Sequence, residues 1–304
     1  MSFSCGWRRS RRAQRGPYTG RGASTAGSPT GTARISEAGP LPRLLRNFSG
    51  CYDAVMTTLE QQTPITAPAG TGLQKEEAVQ RMFSSIARYY DLNNSVLSFG
   101  LHHQWKRQAV GLVPLKSKQV LDVGAGTGDL ALLVARRLGQ DAQILAADFN
   151  HPMLAIGVGK MRRAALAGRI HCVQANAGEM CARDGVFDAV TTGFCLRNVG
   201  DLAKTLREIH RVLKPGGRLV CLEFSRPAAP WLRRLYDWYS FSLLPWIGTK
   251  VSWDTTGVYQ YLPASIRTFP DQEGLAQEMR KAGFGCVEYR NLTGGIVAIH
   301  AGLK

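Results

Sequence analysis

Residues 119–148, QVLDVGAGTGDLALLVARRLGQDAQILAAD, leave little freedom in what this chain can fold into. Val120-Leu121-Asp122-Val123 reads as a short buried strand. Gly124-x-Gly126-x-Gly128 is a turn too tight for side chains, and residues 127–138 place Leu130, Leu133, Val134 and Leu138 at helical spacing. A second β-rich run, 143–147, ends on Asp148. Strand, glycine turn, helix, strand and terminal carboxylate make one βαβ unit of the kind that binds a nucleotide. The glycines let a ligand lie against bare backbone and a helix N-terminus, and the carboxylate can accept both hydroxyls of an adenosine ribose.

Two readings compete with this one. A glycine turn can exist without a ligand, and an acid about 20 positions beyond the turn serves NAD as well. Asp122 before the turn and Asp129 after it would repel a pyrophosphate, yet suit a ligand carrying sulfonium and ammonium charges. S-Adenosylmethionine is therefore the expected cofactor, with Asp122, Gly124, Gly126, Gly128 and Asp148 around it.

At 304 residues the chain holds one large domain or two small ones, with 44% hydrophobic and 20% charged residues, as in ordinary globular enzymes. No run approaches the ~18 uninterrupted apolar residues of a membrane span. The formal charge of +16 is unevenly placed, because residues 1–55 hold nine Arg, no Lys and only Glu37 and Asp53. The remainder is moderately basic, which suits a solvated surface more simply than an anionic membrane or nucleic acid. Cys5, Cys51, Cys172, Cys181, Cys195, Cys221 and Cys286 show no C-x-x-C and no Cys/His ligand spacing. A reducing compartment, no disulfide and no metal are expected.

Residues 1–55 lack apolar periodicity and the apolar centre of a secretory signal. They fit an organelle transit peptide, a disordered tail, or a segment preceding a true start at Met56, and these readings stay open. Residues 57–72 read as linker, so 1–70 is expected to be an extension and 71–304 the folded domain. Thr71-x-x-Gln74 resembles a capping box, followed by Val79, Met82, Phe83, Ile86, Ala87 and Tyr90 on one helical face. Asn93-Asn94 and Phe99-Gly100 are expected to punctuate two short helices, leaving Tyr90, Asp91, His102, His103 and Trp105 near a loop. Adjacent histidines diverge on a helix, which argues against a paired metal site.

Beyond Asp148 the pattern predicts a helix over 152–166, strands over 169–174 and 187–192, and a helix over 201–213 capped by Asp201. Lys214-Pro215-Gly216-Gly217 is expected to stop that helix before a strand over 218–224. Such alternation argues for a parallel sheet covered on both faces. A helix over 271–282 then precedes two β-rich segments, 287–291 and 295–300. Thr293-Gly294 between them predicts an antiparallel hairpin at the sheet edge.

Four stretches resemble a known family: YYDLNNSVLSFGLHHQWK (89–106), VLDVGAGTGDLAL (120–132), GFCLRNVGDLAKTLREIHRVLKPGGRLVCLEFSRP (193–227), and YQYLPASIRTFPDQEGLAQEMRKAGF with YRNLTGGIVAIHAG (259–302). They are similar to the UbiE/MenG/COQ5 group of class I S-adenosylmethionine-dependent methyltransferases, which C-methylate prenylated quinols in ubiquinone and menaquinone synthesis. The likeness runs from about residue 80 to 304. It implies a Rossmann-like α/β fold whose mostly parallel sheet has seven strands, an antiparallel C-terminal hairpin and helices on both faces. It also implies cofactor contacts at Thr127, Asp148, Asn176 and Ala177, with Asn176 on the adenine edge, Ala177 offering a backbone N–H and Met153 an apolar surface against the ring. Gly193 stands where many relatives have serine. Cys195 stands where glycine is usual, with a packing role expected.

Carbon methylation needs an electron-rich ring carbon, and a quinol supplies one when a phenol loses its proton. The site must assist that loss and stabilise the phenolate. Arg197 and Asn198 follow the strand ending near Thr192, on the sheet edge where ligands bind in this architecture. Arg197 is expected to stabilise the phenolate or to hold a water that relays its proton; guanidinium hardly ever acts as a free base. Asn198 would orient the ring or that water, and Tyr90 would complete the hydrogen-bond chain. The plainer alternative makes Arg197 a surface ion-pair residue and Asn198 a cap. Among the histidines, His102 is the one worth testing, because it lies beside Tyr90.

Trp231, Trp238, Trp246 and Trp253 place four of the six tryptophans within 23 residues. Core packing and a half-wet boundary for an isoprenoid tail both fit, and residues 231–262 are expected to form a lid over the substrate groove. The resemblance implies a cytoplasmic protein touching the inner membrane peripherally, or an organellar one if 1–55 is a transit peptide. No nucleic-acid partner is expected, and a homodimer is left open. Rival classes are a non-catalytic S-adenosylmethionine-binding assembly protein, a nucleic-acid methyltransferase and an NAD-linked dehydrogenase. Arg197-Asn198 argues against the first, and the lack of an added RNA-binding module against the second.

Overall fold

The computed structural model describes residues 73–243 and 258–304. The Thr71 cap, the extension 1–70, and Trp246 and Trp253 of the expected lid lie outside the described residues. Five strands run parallel: β1 (Gln119–Val123), β2 (Gln143–Asp148), β3 (Ile170–Gln174), β4 (Phe187–Gly193) and β5 (Leu213–Phe224). β6 (Gly285–Leu292) and β7 (Val297–Leu303) form the antiparallel hairpin, with β7 pairing β5 as well. The order is β3-β2-β1-β4-β5-β7-β6, a seven-stranded sheet. Strand order reverses between β1 and β4, which leaves a crevice beyond their C-terminal ends.

The alternation of side chains along each strand decides how the sheet is covered. Leu121 and Val123 of β1 join one core with Leu206 and Ile209 of α6 (Leu202–Val212) and Met279 of α9 (Gln272–Lys281). Val120 joins the other, with Leu130 and Val134 of α4 (Asp129–Arg137) and Met161 of α5 (His151–Arg163). Leu121, Ile144, Leu145, Phe187 and Leu219 are almost wholly buried, each contributing roughly 1.5–3 kcal/mol by leaving water. Asp201 and Asp271 cap α6 and α9, accepting from the Lys204 and Gly274 amides at 2.9 Å each.

A smaller layer sits over the crevice. It comprises α1 (Leu73–Ile86), α2 (Tyr90–Leu97), α7 (Pro230–Trp238) and α8 (Val258–Thr268), whereas α3 (Leu101–Val110) packs beside α4 on the face of the sheet through Trp105, Ala109 and Val110. Val79, Met82 and Ile86 pack with Tyr261 into a third cluster, with Phe83, Tyr90 and Tyr239 against it. No described helix is long and apolar enough to cross a membrane.

Several local expectations need correction. Asn93-Asn94 lies inside α2, and the break falls at Phe99 and Gly100, which have φ 49° and 74°. Helix α4 starts after the glycine turn, at Asp129, because Gly124, Gly126 and Gly128 all adopt positive φ. Lys214-Pro215-Gly216-Gly217 does not separate helix from strand. Leu213 already pairs with Phe187, and a register shift before the Ala189–Arg218 pair absorbs the surplus residues. Cys172, Cys195, Cys221 and Cys286 are free thiols, whereas Cys181 is disulfide-bonded, a pairing that spacing along the chain did not reveal.

Candidate active site

Two cavities lie beyond the ends of β1, β2 and β4. The first, of about 130 Å³, is lined by Gly124, Gly126, Asp148, Met153, Asn176, Ala177, Gly193, Cys195 and Asn198, together with Glu76, Val79, Gln80 and Phe83 of α1. The second, of about 380 Å³, is largely apolar and is lined by Leu97, Phe99, Leu101, Trp105, Phe224, Leu232, Leu235 and Tyr261. Its polar wall residues include Asn93, His102, Lys106 and Arg197. Phe83, Tyr90 and Phe194 line both cavities, so the two share a wall.

Asp148 reaches the first cavity from the end of β2. Its Oδ2 accepts from the Gly126 amide and its Oδ1 from the Asn150 amide, both at 2.7 Å. Each carboxylate oxygen can take a second bond, so the group can still receive a diol. Burial raises its pKa, and the two amides oppose that rise. Asn176 is already engaged: its Oδ1 accepts from the Gly178 amide and its Nδ2 donates to Glu76 Oε2, both at 2.8 Å. One N–H of its side-chain amide is left for an adenine edge.

Asp122, Thr127 and Gly128, expected around the cofactor, are not among the residues that line this cavity. The buried Asp122 carboxylate accepts from the Ala131 amide at 3.1 Å and from Thr191 Oγ1 at 2.7 Å. It thereby satisfies the first turn of α4 and ties it to the sheet. Burial lifts its pKa to about 7. Thr127 Oγ1 donates to Asp91 Oδ1 at 2.7 Å and accepts from Lys160 Nζ at 3.2 Å. A Cβ at Gly128 would stand 2.5 Å from Met161 Cε, so that glycine serves packing behind the turn.

The two acids flanking the turn already have partners inside the protein. Lys160 pairs with Asp91 at 2.8 Å and with Asp129, and Lys106 pairs with Asp129 at 2.7 Å. Burial pushes the Asp129 carboxyl up, but the two ammonium groups outweigh it and hold it below the ordinary range. Its negative charge is therefore spent inside the protein. Cys195 has a packing role as well: a Cβ at Gly124, where φ is +66°, would stand 2.2 Å from its Sγ. Burial pushes the Cys195 thiol up, which makes it a poor nucleophile.

Arg197 and Asn198 occupy a short 3₁₀ turn after β4 and face different cavities, Arg197 the second and Asn198 the first. Arg197 is no surface residue. Its Nη1 donates to Glu223 Oε1 and to the Phe194 carbonyl, both at 2.7 Å, and its guanidinium lies 5.2 Å from the Phe224 ring centroid. Burial works against its charge, but Glu223 outweighs that and keeps its pKa above the usual value. Asn198 Nδ2 donates to the Phe194 carbonyl and its Oδ1 accepts from Tyr261 Oη, both at 3.2 Å. Burial pushes Tyr90 up to about 12, so its phenol stays protonated and able to donate.

His102 lines the second cavity. Its Nε2 stands 3.1 Å from Ser95 Oγ, which itself lies 2.9 Å from the Asp91 carbonyl. Burial, with the nearby Lys106 charge, lowers His102 to about 4, so the ring is neutral.

Sequence reasoning missed α1 as a wall of the first cavity, along with Glu223. Lys75 Nζ donates to the carbonyls of Arg197 and Val199 at 3.1 and 3.0 Å, and Glu76 Oε1 accepts from the Gly200 amide at 2.8 Å. These ties span more than 100 residues and leave no local signal. Glu223 did leave one: it is the single charge in the otherwise apolar run from Leu219 to Phe224.

The ubiE/COQ5 methyltransferase family model matches residues 71–304. The chain is 45% identical over 232 residues to the ubiquinone/menaquinone biosynthesis C-methyltransferase UbiE of Idiomarina loihiensis, covering 76% of this chain and 92% of that one. It is 47% identical to the UbiE proteins of Proteus mirabilis over 232 residues (76% and 92% covered) and Vibrio vulnificus over 238 residues (77% and 91% covered). Among solved structures, a SAM-dependent methyltransferase of Thermotoga maritima aligns with TM-score 0.53 at 20% identity, covering 74% of this chain and 99% of that one. The cyclase SpnF aligns with TM-score 0.57 at 20% identity, covering 80% and 99%. At such identity these two speak for the fold alone, that of the class I methyltransferases.

Proposed function

The chain belongs to the ubiE/COQ5 methyltransferase family, and from that membership we propose that it C-methylates a prenylated quinol of ubiquinone and menaquinone biosynthesis, with S-adenosyl-L-methionine as donor. One observation carries the reading at the level of the site. A glycine-walled cavity into which Asp148 and Asn176 reach and a larger apolar one share Phe83, Tyr90 and Phe194, and a buried arginine stands in the larger one.

The first cavity suits the donor. Asp148 would hold the ribose hydroxyls, Met153 would lie against the adenine, and Asn176 with the Ala177 backbone would meet its edge. When bound, S-adenosyl-L-methionine supplies an electrophilic methyl group and leaves as S-adenosylhomocysteine. In the second cavity Arg197 would stabilise the phenolate as the quinol hydroxyl gives up its proton, which makes the ring carbon nucleophilic. Tyr90 donates to the same oxygen or to a bridging water, and Asn198, fixed by Tyr261, keeps the Arg197 turn in place. The hydroxyl proton passes to solvent water, the ring carbon takes the methyl group as its bond to sulfur breaks, and the proton on that carbon returns through water to the phenolate oxygen, restoring the aromatic quinol.

The assay uses the full chain with labelled donor, offered demethylmenaquinol and methoxy-polyprenyl-benzoquinol side by side. Label is expected in the quinol ring carbon. A donor that raises the melting temperature while neither quinol acquires label would favour the assembly-protein alternative instead.

Residues 231–262 would act as a lid that also meets a lipid surface. On α7, Trp231, Leu235 and Trp238 form one helical stripe, yet they are 68%, 53% and 59% exposed. Leu92, Val96 and Phe99 are exposed in and just after α2, and Phe99, Leu235 and Trp238 reach the apolar cavity. Exposed Arg233 and Arg234 on α7 add positive charge. An aromatic stripe with flanking cations is the composition of an interfacial helix, and it would let an isoprenoid tail pass from bilayer to cavity. Changing Trp231 and Trp238 together to Ser should lower co-sedimentation with anionic phosphatidylglycerol vesicles at least ~10-fold, on the scale of a few kcal/mol of lost apolar burial. Unchanged co-sedimentation would remove the membrane role from this helix.

A further inference from the structure

We propose that Glu223 is a positioning residue for the methyl transfer, fixing the Arg197 guanidinium in the acceptor-cavity wall and setting how much uncompensated positive charge that wall presents to the acceptor hydroxyl. The proposal rests on the reading of Arg197 given above.

Glu223 lies near the C-terminal end of β5, opposite Ala298 of β7, with its side chain 1% exposed; that of Arg197 is 4% exposed. Its Oε1 accepts from Arg197 Nη1 at 2.7 Å and from the Phe224 amide at 2.9 Å, and its Oε2 accepts from the Arg197 amide at 3.5 Å. Both the side chain and the backbone of Arg197 are therefore held by one carboxylate. The Phe194 carbonyl and the Phe224 ring close two further sides of the guanidinium. Arg197 Nε is buried and has no hydrogen-bond partner. Glu223 itself lines neither cavity, whereas Arg197 lines the second.

A buried ion pair is weak evidence for stability, because well-packed apolar residues often do as well. Placing a carboxylate in the apolar end of β5 therefore calls for another use, and an unsatisfied N–H on its partner at the wall of an apolar cavity supplies one. Among the described residues no other carboxylate pairs with Arg197. The other titratable groups around the pair are Lys75 of α1, Tyr90 of α2, Cys195, Cys221 of β5, Tyr236 of α7 and Tyr261 of α8. None of them balances the guanidinium. With Glu223 ionised the pair is neutral overall, and the cavity presents donors rather than a net cation. Removing that negative charge exposes the full guanidinium charge to the acceptor hydroxyl and draws it to ionise at lower pH.

The test compares Glu223→Gln, Glu223→Asp and Arg197→Leu in the full chain, using demethylmenaquinol as acceptor and 4-nitrophenol as an absorbance probe of ionisation in the cavity. Glu223→Gln is expected to move the acid limb of kcat/KM down by about one pH unit, and to shift the bound nitrophenol titration the same way. Glu223→Asp keeps the charge but shortens the support, so kcat should fall about 10-fold with the limb unmoved and KM little changed. It also keeps the test decisive should Glu223→Gln not fold. Unmoved limb and kcat in both variants, with Arg197→Leu inactive, would overturn the role of Glu223 while leaving that of Arg197. An Arg197→Leu protein with parental kcat/KM would instead overturn the reading on which the proposal stands.

Discussion

Arg197→Leu is expected to harm this protein twice, by separable routes. In catalysis it removes the donor proposed to stabilise the phenolate, and losing one such donor costs roughly 10²–10³ in kcat. In folding it strands Glu223, whose side chain is 1% exposed, and an unpaired buried carboxylate costs about 3–5 kcal/mol. Adding Glu223→Leu should recover most of the stability, because an apolar pair of similar volume replaces the ionic one. It should recover none of the activity. Urea unfolding and single-turnover methyl transfer on the same preparations separate the two effects. A double variant that regains turnover along with stability would show that Arg197 matters only for folding.

Asp148→Ala should weaken donor binding by roughly 10²–10⁴-fold, taking two hydrogen bonds to a charged group at about 1.5–3 kcal/mol each. The loss is compounded because the amides of Gly126 and Asn150, each 2.7 Å from this carboxylate, lose their acceptor. Asp148→Asn keeps one acceptor oxygen and should fall between variant and parent. Titration calorimetry with S-adenosyl-L-methionine reads the difference directly. Equal affinity in the Ala variant and the parent would remove Asp148 from the donor site.

What could be read from the sequence, and what could not, follows the range over which each signal acts. The unit from β1 to β2 was visible because its glycines, its helical apolar spacing and Asp148 all lie within 30 residues. Thr293-Gly294 likewise announced the hairpin. The acids flanking the glycine turn did not disclose their partners, because charge in a sequence says nothing about what it meets: Lys106 and Lys160 pair with Asp129, and Asp122 accepts from the first turn of α4. The wall built by α1 was invisible for the same reason, since Glu76 meets Asn176 across 100 residues. Lys214-Pro215-Gly216-Gly217 looked like a stop signal because turn propensity is local, whereas pairing of Leu213 with Phe187 is tertiary. Arg197 and Asn198 could be placed on the correct edge of the sheet, but only the packing of β5 showed that the arginine is buried.

The fit of the Cys195 thiol against the bare backbone of Gly124 ties two positions 71 residues apart into one spatial slot. A bulkier side chain at 195 has nowhere to go, and none is accommodated at 124 whatever stands opposite, because φ +66° strains any residue that carries a Cβ. The earlier position is held by its backbone, and the later one by the volume that this backbone leaves, so tolerated replacements at 195 should be no larger than cysteine.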